Sequence, residues 1–235
     1  CPQCKLWNTI NEVHVTVATS VATKSKASVM SMQPLTAVVG SSKKRMLSGI
    51  DEWDRVTGGG IMPGAFIMLT GDPGIGKSTL LLQITYNLAR NYKVLYFSSE
   101  ESLEQVKNRA ERLGCLSEDI LFSDQANLDE IIATTHHYKP DLIIIDSIQN
   151  CYASQSATLP GSIGQLKESA FYCMRLAKEH AVAILLSGHI TKDGCMAGPK
   201  TLEHMVDAVL YLQGEDRWQT RVLRSVKNRF GTVNE

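Results

Sequence analysis

The sequence predicts an α/β fold, a mostly parallel sheet flanked by helices with an antiparallel edge. Three observations carry this: apolar runs of strand length alternate with helix-length segments, the connections between them are short, and a glycine-rich loop joins one strand directly to a helix. Ala65-Phe66-Ile67-Met68-Leu69 reads as a buried strand over 65–70. After the glycine loop, Leu80-Leu81-Leu82-Gln83-Ile84 continues a helix over 77–90. The alternation then gives strand 93–98, helix 102–113, strand 119–123, helix 127–137, strand 141–146, helix 162–180 and strand 182–188. Two later apolar runs, Val206 to Leu212 and Thr220 to Ser225, are read as antiparallel strands at one edge. No internal repeat is evident.

Ahead of this block, residues 1–13 (CPQCKLWNTINEV) stand apart, and the pattern allows a short strand near Val13 to Val17. Residues 14–46 form a Ser/Thr/Ala/Val-rich linker that contains the basic cluster Lys43-Lys44-Arg45. The compact domain is expected over 47–235. A chain of 235 residues with 43% hydrophobic content suffices for one large α/β domain and a small appendage. Lysine and arginine number 24 against 24 aspartate and glutamate, so any contact with a polyanion has to be local. The longest apolar stretches, such as Leu142 to Ile145, are too short to cross a bilayer, and no signal-peptide pattern opens the chain. That combination implies a soluble, cytoplasmic protein with no membrane partner. Cys1, Cys4, Cys115, Cys151, Cys173 and Cys195 are scattered, which argues against a disulfide framework. Because the chain starts at Cys1 and not at methionine, it is read as a piece of a longer product.

The glycine loop is the most informative segment. Gly71, Asp72, Pro73, Gly74, Ile75, Gly76, Lys77, Ser78 and Thr79 follow the pattern G-x-x-x-x-G-K-[ST], in which successive backbone N–H groups converge on a polyphosphate. Lys77 is expected at the β/γ oxygens and the Ser78 hydroxyl on Mg²⁺. A strand, a glycine turn and a helix N-terminus together make an anion site. The run Leu142-Ile143-Ile144-Ile145 then carries Asp146 to the carboxyl end of a central strand, where ligands bind in open parallel sheets. Asp146 is expected to hold the Mg²⁺ through water.

The strand Val94 to Phe97 ends in Ser98-Ser99-Glu100-Glu101 at the same edge, and hydrolysis needs a base to orient the attacking water. Glu100 is the first choice and Glu101 the second; an acidic pair at a helix N-terminus is the plainer explanation for either. His189, after a buried strand, is a candidate sensor of the γ-phosphate. The segments 154–165 and 192–200 read as long loops leaving the same edge. Lys227 and Arg229 stand two apart, on one side of an extended chain, and suit a pair of cations projected into a neighbouring subunit's site.

Together these segments resemble the bacterial RadA/Sms family of recombination and DNA-repair ATPases, relatives of RecA and of DnaB-type helicases. The resemblance runs nearly end to end. It rests on CPQCKLWNT at 1–9, GDPGIGKSTLLLQ at 71–83, SSEES at 98–102, IIIDSIQ at 143–149, PGS at 160–162, GHITKDG at 188–194, AGPKTLEHMVDAVLY at 197–211 and KNRFG at 227–231. It implies a RecA-like P-loop ATPase core and a ring-forming motor that uses ATP and Mg²⁺, binds single-stranded DNA and promotes branch migration of recombination intermediates. A RecA-type recombinase partner and a homo-hexamer of the full-length protein are implied too. The two long loops would face DNA, with Lys192 and Lys200 as phosphate contacts. The family has a four-cysteine zinc module; Cys1 and Cys4 supply half of such a site, so residues 1–13 read as its remnant and Zn²⁺ is expected only in a longer chain. The family continues past KNRFG into a Lon-protease-like domain, so the chain is read as a fragment that stops short of it. A nucleotide-switched assembly ATPase that ignores DNA, and a replicative-type helicase, are the alternative readings.

Overall fold

Short apolar runs form the central strands here because these are buried on both faces, and the pairing order of the strands decides which residues meet. The computed structural model describes residues 32–37, 44–154, 158, 162–189, 202–215 and 220–233. The chain separates into two compact units, Cys1–Ser41 and Ser42–Glu235. Of the first, the described part is one exposed turn of 3₁₀ helix, Leu35–Ala37.

The second unit contains helix α1 (Asp51–Val56), strand β1 (Phe66–Gly71), α2 (Lys77–Ala89), β2 (Val94–Ser98), α3 (Leu103–Leu113), β3 (Ile120–Ser123) and α4 (Leu128–Tyr138). It continues through β4 (Leu142–Asp146), α5 (Ile163–His180), β5 (Ala183–His189), β6 (Ala208–Glu215) and β7 (Thr220–Asn228). One seven-stranded sheet runs in the order β3-β2-β4-β5-β1-β6-β7. All neighbours are parallel except β6 and β7, which pair antiparallel. The expected mostly parallel sheet with an antiparallel edge is thus what forms. One detail differs: β6 is parallel to β1, so only β7 reverses direction.

Alternation along the strands divides the core into two layers. Ile67 and Leu69 pack with Leu81, Ile84 and Leu88 of α2 and with Trp53 and Val56 of α1. Phe66 and Met68 face the other way, toward Ile131 of α4 and Ala170, Cys173 and Leu176 of α5. Burying one such aliphatic side chain contributes about 1.5–3 kcal/mol, which is why the layers fix the register.

Polar residues mark the helix starts. Ser102 accepts from Gln105 N and closes a reciprocal box with the Gln105 side chain. Asn127 caps α4 by accepting from Asp129 N, and Ser162 caps α5 by accepting from Gln165 N. The helices read from residues 102, 127 and 162 therefore begin one residue later, because the first residue is the cap.

Helix α1, six residues without hydrophobic periodicity of its own, was not expected from sequence. Its position is fixed by tertiary bonds instead. The Asp54 carboxylate accepts from Ser48 N (2.9 Å) and Gly49 N (3.1 Å), and a backbone bridge joins Met46 to Ile61. Among the described residues no helix is long and apolar enough to cross a membrane.

Candidate nucleotide site

The carboxyl ends of β1, β2, β4 and β5 lie together, and each delivers one group of the site. From β1 comes the glycine loop. Gly71 has φ +156°, and a Cβ built there would sit 2.3 Å from the Leu212 carbonyl oxygen of β6, so only glycine lets the chain leave the sheet at this point. Gly76, at φ +109°, occupies the N-cap of α2 with no capping side chain. The first amides of α2 are thereby left for an anion.

Lys77 is buried, and its ammonium donates to the carbonyls of Gly71 (2.9 Å) and Asp72 (3.0 Å). Burial lowers its pKa, and the carboxylates of Asp146, Glu100 and Asp72 partly offset this. These three charges act on one ammonium, which shows that the residues read separately from three segments converge. Ser78 and Thr79 follow in the first turn of α2, both half-buried.

Asp146, at the end of β4, is held from both neighbouring strands. The Tyr96 hydroxyl of β2 donates to Oδ2 at 2.9 Å, and the Ser187 hydroxyl of β5 donates to Oδ1. Burial first, and then the Asp146 charge, push the Tyr96 phenol well above its ordinary value, so it remains a proton donor. Each carboxylate oxygen keeps a further lone pair for a water molecule. With the Ser78 hydroxyl these are hard oxygen donors of the kind Mg²⁺ takes through water and one or two protein groups.

The two adjacent glutamates part company. The Ser147 hydroxyl donates to Glu100 Oε1, which keeps Glu100 beside Asp146. Glu101 instead accepts both Nη atoms of Arg109 from α3, a closed bidentate pair. Ser99 ties the two strand ends: its hydroxyl donates to the Ser147 carbonyl (2.8 Å) and accepts from Ser147 N (3.0 Å). The peptide bond between Asp146 and Ser147 is cis. His189 is the last residue of β5, and its backbone is in register with Gly71 at the start of the loop.

Lys227 and Arg229 lie elsewhere. Because β7 runs antiparallel, it starts at the phosphate-loop edge and ends at the opposite one. Arg229 N donates to Asp207 O (3.0 Å), and Asp207 N donates to Phe66 O (2.7 Å), at the beginning of β1. The interval from Phe66 to Gly71 is about 16 Å at strand rise, so neither cation reaches its own phosphate loop. Both are engaged within the chain. Lys227 donates to the carbonyls of Glu203 and Val206 (2.9 Å), and Arg229 pairs with Asp207 at 3.2 Å. Asp207 also accepts from Lys178 at 2.5 Å and from Phe66 N at 3.0 Å. Burial, with Arg229 second, lowers the Lys227 pKa.

Lys192, Lys200, Cys1 and Cys4 lie outside the described residues, as do half of the segment 154–165 and all of 192–200. Among the described residues no group of three His, Cys, Asp or Glu side chains could hold a metal ion.

Sequence reading missed Tyr96, Ser187 and Ser147. A signal for two of them was present: Tyr96 and Ser187 are hydroxyls inside strands otherwise apolar and buried on both faces, and a buried hydroxyl needs a partner. It also missed a cavity of about 240 Å³ beside Gly76 and Thr79, walled by Ile50, Trp53, Gln83, Leu212 and Leu223, with Arg221 at its edge.

Comparison with known proteins agrees with this geometry. A family described as "AAA domain" matches residues 44–195. "DNA repair protein RadA" of Halalkalibacterium halodurans is 45% identical over 240 residues, covering 100% of this chain and 52% of the relative. This chain therefore spans about half the length of that protein. Among solved structures, "ATPase Domain of G40P" superposes with a TM-score of 0.66 at 19% identity, over 81% of this chain and 86% of that one. The flagellar accessory protein FlaH from Methanocaldococcus jannaschii gives 0.61 at 17% identity, over 80% and 90%. At such identities the likeness is one of fold: a RecA-like P-loop core.

Proposed function

Since the chain belongs to the AAA-domain ATPases and, within them, to the RadA family of DNA repair proteins, we propose that it is a DNA-dependent ATPase of recombinational repair. In this reading it works as a ring on single-stranded DNA, alongside a RecA-type recombinase, and promotes branch migration. Residues 47–235 are its motor, 14–46 a linker and 1–13 part of a zinc module completed elsewhere.

The observation that carries the reading is the convergence of Lys77, Asp146 and Glu100 at one sheet edge. Bound there, ATP would place its β- and γ-phosphates against the loop amides and Lys77, whose ammonium would exchange the carbonyls of Gly71 and Asp72 for phosphate oxygens. Asp146, fixed by Tyr96 and Ser187, and Ser78 would hold Mg²⁺, which supplies charge neutralisation at the phosphates. Glu100 orients the attacking water and accepts its proton. Its distinction from Glu101 has a physical basis: the Arg109 pair already uses both Glu101 oxygens. Lys227 and Arg229, at the far end of the sheet, act on the next protomer's nucleotide.

Two measurements test this. Lys77→Ala abolishes ATP turnover; normal hydrolysis by that variant sinks the assignment. Single-stranded DNA raises the rate, and DNA binding weakens steeply with added salt. A rate indifferent to DNA favours a nucleotide-switched assembly protein, a role that the fold alone would equally serve.

A further inference from the structure

We propose that Arg221 is a nucleotide-binding residue of this protomer's own site, gripping the polyphosphate at its ribose end. The inference rests on the reading that the loop 71–79 binds a nucleoside triphosphate, and it adds a residue that no sequence motif marks.

Arg221 stands at the start of β7, in register with Gly214 of β6. That end of the hairpin packs directly on the phosphate loop. A Cβ built on Gly214 would lie 3.0 Å from Ile75, and one built on Gly71 would strike Leu212 O. The contact continues at Gly76, where a built Cβ would be 3.5 Å from Arg221 Nε and 3.7 Å from its Cζ. The guanidinium therefore rests against the N-cap glycine of α2, whose following amides face the anion. Among the described residues it forms no hydrogen bond and no ion pair. Arg109, Arg175 and Arg229 all pair with carboxylates. A guanidinium with no partner among the described residues, held beside an anion loop, has its charge available for that anion.

Position along the nucleotide follows from the cavity. Lys77 serves the β/γ end, inside the loop. Beside Gly76 and Thr79 lies the mainly apolar slot lined by Trp53, Leu212 and Leu223, with Glu52 and Gln83 as its other polar side chains, which matches a nucleoside in character. Arg221 lines that slot and touches Gly76, so it stands where slot and loop meet. The group there is the phosphate next to the ribose, and the planar fork of a guanidinium fits two of its oxygens.

The test measures binding, not turnover. A fluorescent ADP analogue is titrated into the 235-residue chain and into Arg221→Ala, Arg224→Ala and Lys77→Ala, with ATP and inorganic tripolyphosphate as competitors. Arg221→Ala weakens ATP and ADP about tenfold or more, the scale of one charge-assisted contact, and weakens tripolyphosphate by the same factor. Arg224, exposed and three pairs further along β7, provides the control: Arg224→Ala binds as the parent does. Unchanged affinity in Arg221→Ala overturns the inference, as does a loss for ATP with none for tripolyphosphate, which moves the contact to the nucleoside. If the parent chain binds no nucleotide, or Lys77→Ala binds as tightly as the parent, the underlying reading of the loop fails instead.

Discussion

Replacing Arg229 by alanine separates a residue that acts on its own site from one that acts on a neighbour's. In the protomer, Arg229 is tied to Asp207 beside the first residue of β1, with about 16 Å of strand between that point and the phosphate loop. Nucleotide affinity should therefore be unchanged in Arg229→Ala. Stability should barely move. The Arg229 side chain is 56% exposed, and Asp207 keeps Lys178 and Phe66 N as partners, so the loss stays below about 1 kcal/mol. Turnover is different: an arginine offered to the transferring phosphoryl group is worth about 10³-fold or more in rate, roughly 4 kcal/mol of barrier. The decisive assay is phosphate release in the presence of single-stranded DNA, using Arg229→Ala mixed with Lys77→Ala. Each variant alone is inactive. In a random equal mixture about a quarter of the sites combine an intact Lys77 with an intact neighbouring Arg229, and activity returns to that order. Hydrolysis by Arg229→Ala at the parent rate, or an inactive mixture in which co-assembly has been verified, refutes the reasoning.

Other outcomes follow from the same geometry. Tyr96→Phe deletes the 2.9 Å bond to the buried Asp146 carboxylate, so it lowers unfolding free energy by about 1.5–3 kcal/mol; an unchanged denaturation midpoint would contradict the bond. Gly71→Ala sets a methyl group 2.3 Å from a backbone oxygen that cannot rotate away, which forces β1 and β6 apart. A loss on the order of 3 kcal/mol and of nucleotide binding is expected, read by thermal melting and by titration. Burial pushes the Cys151 thiol from 9.0 up to about 12. The folded chain then holds a proton that the unfolded one releases, so this group's contribution to stability falls as pH rises from about 9 toward 12. Alkylation at pH 8 should accordingly label Cys151 only after unfolding; labelling of the native protein at the rate of a free thiol would show the site to be open.

The parts of the fold legible in the sequence were those with local causes. Leu142-Ile143-Ile144-Ile145 can only be a strand buried on both faces, and Ser102, Asn127 and Ser162 announce their helices through caps. Helix α1 was not legible, because its six residues depend on Asp54 bonding back to Ser48 and Gly49 and on Trp53 filling the core. The candidate site divides in the same way. Lys77 and Asp146 were readable from loop and strand-end patterns. What distinguishes Glu100 from Glu101 was not, since it depends on where Arg109 and Ser147 lie after folding. Nor could spacing alone show that Lys227 and Arg229 occupy the edge away from the loop. That follows from one strand reversing direction beside six that do not.

In the proposed assembly, strand β7 would run between two catalytic centres. Its first residues touch the loop that would grip this protomer's nucleotide, and its far end leads into Lys227 and Arg229, the cations assigned to the next protomer's. Eight of its nine residues pair with β6, with a bulge at Val226, so the strand is stiff along most of its length. In an assembled ring, a small slide of β7 when a phosphate departs at one end would be felt at the other. Timing would then pass from site to site through a single strand in each subunit, and firing in sequence around the ring would need no hinge between domains.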